Sequence, residues 1–402
     1  MRNFNSTNSN ISRSVLGTSG FAEGTDNYLN ENLIIPYAKP YLPKNTEESL
    51  LKAFRSGMIS GNGKEIQNLE SFLSLKLGGI STLTVTNGSA AIRLAYQALN
   101  LRAGTRVVLP GWGFHVAANI AFSMGADIEF RDVDYHSWCL ELEDNFDLSD
   151  ESFSGILVLI HTLGNSANLK KKKAFSENAN LRIIEDSAQA LFSKNGDKYL
   201  GTNFDIGTFS LHAAKTITSG EGGIVATNNT ELESNMRLLR NHGMNPANPY
   251  THILPGDNYR LSNILASLVL PQIVDLDFIL KARLDVYRAY QFELKALTEI
   301  TFINETDHAG FFPWGVAVRL HNAAYEDTVE LRRKLKAAGI DSRPGFTSAQ
   351  GLPFYKKTKN AYKSKLTNSN MLAMQTILLP QYPDLSQENI KYISDVIKDS
   401  IS

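Results

Sequence analysis

TLTVT (82–86), RVVLP (106–110), DIEFRDV (127–133), GILVLIH (155–161) and LRIIED (181–186) are short β-rich runs, each separated from the next by a segment that can hold a helix. This alternation predicts a mostly parallel sheet covered by helices on both faces, because parallel strands need crossover connections. Two further runs, GTFSLH (207–212) and GGIVATN (222–228), flank a Lys- and Gly-containing loop and are expected to finish the sheet as adjacent strands. Upstream, EESLLKAFRSG puts Leu50, Leu51 and Phe54 on one helical face with Gly57 as the stop, and EIQNLESFLSLKLGG predicts a second helix ending at Gly78 and Gly79. Beyond Leu261 the chain turns helical, with a kink or break expected at Pro271. WGVAVRL and AYEDTVELRRKLKAAG then predict a strand and a helix of a smaller unit. The fold class is α/β, with a large domain over 32–275, a small C-terminal α+β domain over 276–402 and a tail over 1–31.

The chain has 402 residues, 43% of them hydrophobic, and 40 Lys+Arg against 41 Asp+Glu leave a net charge of -1. At about 150 residues per domain, this length holds two or three domains and excludes a short peptide module. The charge balance gives no global footprint for nucleic acid or an anionic membrane. Lys170 to Lys173 follow a loop and lack interleaved aromatics, so they read as a solvated helix start. No apolar run reaches the roughly eighteen residues of a membrane span; IVDLDFIL, for instance, is broken by Asp275 and Asp277. MRNFNSTNSNISRSVLGTSG has no signal-peptide apolar core. A single cysteine, Cys139, makes neither an intrachain disulfide nor a multi-cysteine zinc cage, and the cytoplasm is the expected compartment, with no metal.

Ligands of open α/β sheets collect at the carboxyl ends of the strands. Asn87-Gly88-Ser89-Ala90 follows the first run and opens a helix whose unpaired first-turn N–H groups suit a phosphate, although a Gly-Ser turn there also reads as a plain N-cap. Asp186 closes an apolar strand, with Glu185 on the opposite face; it is either a functional carboxylate or a helix cap. Lys215, in HAAKTITSGEGG, can act as an amine nucleophile if its pKa is lowered. Trp112 and Phe114, in LPGWGFHVAAN, are each either core rings or a stacking platform for a flat ligand. His212 and His242 read as hydrogen-bonded scaffolding, and Cys139 as a packing residue, which disfavours cysteine desulfuration. Together, an anion site, an aromatic, a buried carboxylate and a lysine match the needs of pyridoxal 5'-phosphate: phosphate donors, a ring platform, an anion for the ring nitrogen and an amine for the aldehyde.

With those residues placed, the sequence resembles the DegT/DnrJ/StrS-type sugar aminotransferases, which are fold-type-I pyridoxal phosphate enzymes. The likeness rests on TNGSAAIRLAYQAL (86–99), LPGWGFHVAANIAFSMGADIEFRDVD (109–134), IIEDSAQA (183–190), FSLHAAKTITSGEGGIVATNN (209–229) and GDNYRLSNILASLVLPQI (256–273), in family order and spacing. The resemblance implies that Lys215 forms the imine with the cofactor and that Asp186 partners the pyridine nitrogen. It implies Gln189 near the ring hydroxyl, Phe114 as the stacking aromatic, and Gly88, Ser89, Ala90 and Ser210 around the phosphate. Asn258 matches an asparagine that reaches the phosphate of a neighbouring subunit, which implies a homodimer with shared active sites.

Thr is more usual where Gly113 stands, Phe where Leu211 stands, and an aromatic where Asp257 stands. Lys215 itself is kept, whereas a dehydrating branch of the family carries histidine there. The implied reaction is ping-pong transamination of a nucleotide-linked ketosugar with glutamate as donor and 2-oxoglutarate as by-product. Ser60, Gly61 and Asn62 in SGMISGNGKEI and Arg343 in GIDSRPGF match segments near the substrate. A cyclitol or another keto substrate, or a non-catalytic scaffold keeping the fold, are the alternative readings.

Overall fold

The computed structural model describes residues 35–141, 155–166, 169, 181–305, 310–357, 361 and 365–401. The expected tail over 1–31 and the Lys170 to Lys173 helix start lie outside the described residues.

Seven strands form the central sheet: β1 Ser81–Val85, β2 Arg106–Pro110, β3 Asp127–Arg131, β4 Gly155–Ile160, β5 Leu181–Asp186, β8 Ile206–Ser210 and β9 Gly223–Thr227. A hairpin of β6 (Lys194–Asn195) and β7 (Lys198–Tyr199) sits between β5 and β8 in sequence. The sheet order is β1-β9-β8-β5-β4-β2-β3. From β3 through β8 all pairings are parallel, while β9 is antiparallel to both β8 and β1. Two reversals cancel, so β1 runs in the same sense as β8. Consequently the carboxyl ends of β1, β2, β4, β5 and β8 all open on one edge.

β8 and β9 are adjacent, as expected, but they do not finish the sheet. The short return after β8 leaves β9 antiparallel with an open outer side, and β1 pairs there over Ser81↔Thr227 to Val85↔Gly223, taking the edge.

Helices α1 Thr46–Arg55, α2 Lys64–Lys76, α3 Gly88–Ala98, α4 Val116–Ser123 and α5 Thr230–Arg240 surround this sheet with α6 Asn263–Val274 and α7 Leu276–Glu293. A two-stranded ribbon, β10 Met244–Asn245 with β11 Asn248–His252, follows α5. The bend in the connector falls at Asp275, not at Pro271: α6 runs through the buried proline and meets α7 at 73°. Packing of α6 against α1 and α2 holds it straight past the ring, and Tyr41 Oη donates to Asp275 Oδ2 at 3.0 Å where the direction changes. No single helix among the described residues is long and apolar enough to cross a membrane.

The small unit is a four-stranded sheet, β12 (Ile300–Phe302), β13 (Val316–Leu320), β15 (Thr376–Leu379) and β14 (Arg343–Pro344) in spatial order, with α8 Tyr325–Ala337, α9 Thr367–Gln375 and α10 Gln387–Ile401. Its core is not closed on itself: Trp112, Trp138 and Leu163 from the large sheet's loops pack with Tyr287, Tyr290, Val318 and Ile390 in one apolar cluster. The two sheets are therefore seamed by residues that come from the strand ends where the site lies.

α1 departs from expectation. Its packed side is that of Thr46 and Ala53, with Ser49 Oγ donating to the Ser267 carbonyl at 2.8 Å, because small residues let α1 approach α6 closely. Leu51 and Phe54 turn outward, Phe54 being 66% exposed, and Met58 and Ile59 are exposed beside them.

Candidate active site

The strand-end edge brings most of the singled-out residues together, and backbone contacts explain how. Asp186 is the last residue of β5 and is 4% exposed. β8 pairs beside it with Asp186 opposite Thr208, so Ser210 lies two residues further along the neighbouring strand. Gly88, the first residue of α3, reaches over β9 to this point: a Cβ built on Gly88 would lie 3.1 Å from Ser210 Cβ. From the other flank, Gly113 lies over the end of β4, where a Cβ would be 3.7 Å from Ile160 Cδ1. The turn at Asn87-Gly88 and the loop of Gly113 thus converge on Asp186 from opposite sides.

The N-cap question is settled by Asn87, whose Oδ1 accepts the Ala90 N–H at 2.8 Å. Ser89 is not the cap; it is exposed. Since Ala90 spends its N–H on the cap, the first-turn donors without a partner among the described residues are those of Gly88 and Ser89. Ser210 is buried, and its Oγ accepts from the His212 N–H at 3.3 Å.

The aromatic pair divides. Trp112 is fully buried, edge-on to Trp138 at 5.9 Å and to Phe346 at 5.4 Å, and is a core ring. Phe114 is 62% exposed at the strand-end edge, available as a platform. Gly113 between them has φ +144°, a conformation that favours glycine, so the departure from threonine there is dictated by the backbone. Leu211, a second departure, is a core residue beside Phe209 and Ile217, and Asp257, the third, is exposed.

Lys215 sits in a turn whose N–H donates to the His212 carbonyl at 2.9 Å, with Ala214 N–H on His212 Nδ1 at 3.3 Å. Gln272 of α6 pins the following loop by accepting the Thr218 N–H and donating to its carbonyl, at 2.9 and 2.7 Å. His212 thus takes part in the turn through its ring, whereas His242 contributes its main-chain carbonyl, which accepts from His252 Nδ1 at 2.8 Å. Desolvation lowers the Lys215 pKa from 10.5 to about 8; Asp186 acts against that shift and the Arg283 guanidinium acts with it.

Asp186 and Glu185 show how environment separates two adjacent carboxylates. Burial raises the Asp186 pKa, and the only hydrogen bond its carboxylate receives among the described residues comes from Ala188 N–H at 3.1 Å. Glu185, on the opposite face, is equally buried, yet its pKa is lowered: desolvation is overcome by His161 Nε2 at 3.0 Å and by the N–H groups of Gly201, Asn203 and Phe204 at 2.9, 2.7 and 3.1 Å.

Gln189 is buried, and its Oε1 accepts the Leu163 N–H at 2.9 Å, which orients the amide. Its Nε2 has no partner among the described residues. A strained turn is being held there, since Leu163 has φ +57°.

The residues expected near substrate fall in two places. Ser60 accepts the Asn263 N–H at 3.0 Å, and Gly61 is pressed against Arg260, where a Cβ would be 2.7 Å from Arg260 Cβ; Asn62 next to them is exposed. Arg260 Nε in turn donates to Asn258 Oδ1 at 3.1 Å, so the 60–62 loop and the exposed Asn258 form one cluster. Arg343 is elsewhere, in β14, paired to Asp341 at 3.0 Å with its guanidinium 5.6 Å from the Tyr37 ring centroid. Cys139 is buried with Sγ on the Asn165 carbonyl at 3.4 Å, no mobile nucleophile.

Sequence reading missed Trp314. Its ring lies under Lys215 Nζ, 4.1 Å from the centroid, and its Nε1 donates to the Ala214 carbonyl at 2.8 Å. The available signal was a tryptophan two residues before a strand, in FPWGVAVRL.

The arrangement fits pyridoxal 5'-phosphate. Two unpaired first-turn N–H groups beside the Ser210 hydroxyl suit a phosphate, the under-bonded buried Asp186 suits a cationic ring nitrogen, the Gln189 Nε2 suits a ring oxygen, and Lys215 is an amine poised near neutrality.

Comparisons with known proteins agree. The chain is 29% identical to a GDP-perosamine synthase of Vibrio cholerae over 365 residues, 91% of this chain and 98% of that one. It is 26% identical to a UDP-4-amino-4,6-dideoxy-N-acetyl-beta-L-altrosamine transaminase of Campylobacter jejuni, covering 90% and 96% of the two chains. The fold superposes on PseC, an aminotransferase of Helicobacter pylori involved in the biosynthesis of pseudoaminic acid, with a TM-score of 0.85 at 22% identity, covering 91% and 98% of the two chains. With residues 40–398 matching its model, the chain belongs to the DegT/DnrJ/EryC1/StrS aminotransferase family.

Proposed function

We propose that this pyridoxal-phosphate-dependent aminotransferase moves the amino group of glutamate to the carbonyl carbon of a nucleotide-linked ketosugar, working as a homodimer. The observation that carries the reading is Lys215, an amine lowered to about pKa 8, facing a buried Asp186 that, among the described residues, only one backbone N–H satisfies. The relatives named as a GDP-sugar synthase and a UDP-sugar transaminase support a nucleotide-linked acceptor.

When bound, the cofactor supplies an aldehyde that exchanges the amine and a ring that accommodates the electron pair left by proton removal. The chain does the rest. Gly88 and Ser89 N–H groups and the Ser89 and Ser210 hydroxyls hold the phosphate. Asp186 holds the proton on the ring nitrogen, its burial making that ion pair strong. Phe114 covers one ring face, and Gln189 Nε2 donates to the ring oxygen. Lys215, neutral above about pH 8, takes the α-proton of glutamate at Nζ and later delivers a proton to the carbon of the sugar that receives nitrogen. The two half-reactions share one site, so 2-oxoglutarate leaves before the ketosugar enters.

The exposed side of α1 with Met58 and Ile59, next to the cluster of Ser60, Gly61, Asn62 and Asn258, supports a second copy packing here and Asn258 reaching the partner's phosphate site. Arg343 is assigned to the sugar diphosphate. The test is a pair of half-reactions: glutamate should convert the yellow protein to its amine-loaded form with release of 2-oxoglutarate, and only a nucleotide ketosugar should reverse it. Reversal by an inosose with none by GDP- or UDP-linked ketosugars would overturn the substrate class.

A further inference from the structure

Arg283 lies on the face of α7 that also carries Ile279, Leu280, Val286 and Tyr287, and it is 3% exposed. Among the described residues it has no carboxylate within ion-pair distance. Its donors go instead to two successive backbone carbonyls, Nε to Pro313 at 3.3 Å and Nη2 to Trp314. Gln381 Nε2 donates to the Arg283 carbonyl at 2.8 Å and fixes the helix at the same level.

A guanidinium is the side chain whose planar fork can grip two neighbouring acceptors, but burying its charge without a counter-ion is costly. What the grip holds is the segment that presents Trp314. That indole bonds the carbonyl just before Lys215, lays its face 4.1 Å from Nζ, and is backed by Phe346 stacked at 6.5 Å and 18°. The uncompensated charge of Arg283 also acts directly on the Lys215 ammonium. The other groups facing Lys215 are Asp186 from β5 and, behind it, His161 from β4; Tyr37 faces Arg283.

We propose that Arg283 and Trp314 are positioning residues for Lys215: Arg283 clamps the 313–314 backbone so that the indole fixes the amine. Its charge also opposes a proton there, adding to the burial that is the main cause of the lowered pKa. The proposal rests on Lys215 being the reacting amine, and not on which ketosugar is the acceptor. It places control of a large-sheet lysine on α7 and on the segment that enters β13.

The test reads Lys215 directly. Cofactor-free protein is labelled with trace acetic anhydride across pH 6–11, and the Lys215 peptide is quantified by mass spectrometry against surface lysines. Wild-type labelling should rise with a midpoint near 8. Arg283→Gln keeps amide donors for the carbonyls but removes the charge, and should move the midpoint upward; a rise of one unit means about a tenfold loss of labelling at pH 7. Arg283→Lys keeps the charge, should hold the midpoint, and should lower kcat with the KM for glutamate unchanged. Trp314→Phe, which keeps a ring face but loses the bond to Ala214, should do the same. A wild-type midpoint in folded Arg283→Gln, or wild-type kcat in both Arg283→Lys and Trp314→Phe, overturns the proposal. Because labelling uses neither cofactor nor substrate, a wrong acceptor class leaves this result untouched.

Discussion

Gly223→Ala tests whether the phosphate turn is set by the sheet beneath it. Gly223 opens β9, pairs with Val85 and Ser210, and lies directly under the Asn87-Gly88 peptide. A Cβ there would stand 2.4 Å from Asn87 O, 2.6 Å from Asn87 C and 2.9 Å from Gly88 N. Since real Cβ contacts stay above 3.0 Å, the peptide must move by at least 0.6 Å, the difference of 3.0 and 2.4. No flexible side chain absorbs this, because all three atoms are backbone. The displaced carbonyl is the acceptor for Ala91 N–H at 3.1 Å, and the displaced residue carries the cap on Ala90.

Overpacking costs about 1–3 kcal/mol and a lost cap about 1 more, offset by roughly 0.4–1 from the stiffer unfolded chain. Net destabilisation should be about 1–3 kcal/mol by urea unfolding. Misalignment of one donor to a charged phosphate costs about 1.5–3 kcal/mol, or roughly tenfold to a hundredfold in affinity. Pyridoxal phosphate titrated into cofactor-free protein and followed by tryptophan quenching reads that loss. Gly351→Ala is the control: a Cβ there meets nothing within 4 Å, and both stability and affinity should be unchanged. Wild-type cofactor affinity in Gly223→Ala, whatever its stability, would refute the view that this peptide positions the phosphate donors.

Lys215→Met in cofactor-free protein should be more stable than wild type below pH 8, because the wild type there buries a charged amine. Between about 8 and 10.5 the native lysine is neutral while the unfolded one still binds a proton, so wild-type stability rises with pH and the advantage should vanish by pH 10.5 in thermal melts. Asp186→Asn should bind the cofactor yet lose at least about a hundredfold in kcat, the scale of a misplaced proton; single-turnover absorbance checks it. Glu185→Gln, which keeps the shape but removes the charge that five donors serve, should destabilise by about 3–5 kcal/mol. Since Glu185 is held below its ordinary value, its stabilisation is present above pH 4.5 and lost on acidification, so wild type and variant should converge at low pH. Phe54→Glu should dissociate the proposed dimer in sedimentation, while a wild-type dimer would sever α1 from the interface.

The strands were legible because a parallel sheet buried on both faces reads as unbroken apolar runs, and LRIIED and GILVLIH are such runs. The placement of Asp186, Phe114 and Lys215 at or just beyond strand ends was legible because a strand end is a local feature. What failed to show was long-range. The position of β1 at the sheet edge depends on its pairing with β9, more than a hundred residues later. The outward face of α1 depends on the closeness of α6, which periodicity does not encode. Trp314 and Arg283 act on Lys215 from another sheet and another helix. Arg283 left one trace, a cation on the apolar stripe of its helix, at four residues from Ile279 and from Tyr287.

Adjacent Glu185 and Asp186 show why burial alone does not mark a functional carboxylate. Both end the same strand and both are almost fully buried. Glu185 is saturated by His161, three backbone N–H groups and the Asn203 side-chain amide, so its charge is already matched and it has nothing left to offer a ligand. Asp186 is left with one donor among the described residues, too little to offset the burial that raises its pKa. A buried group that the fold satisfies is structural; a group the fold leaves short must be completed by something that arrives, and here the Lys215 amine is one cation that acts on it. Supplying Asp186 with a second internal donor should therefore disable the site without loosening the fold, whereas the same donor offered to Glu185 should change nothing.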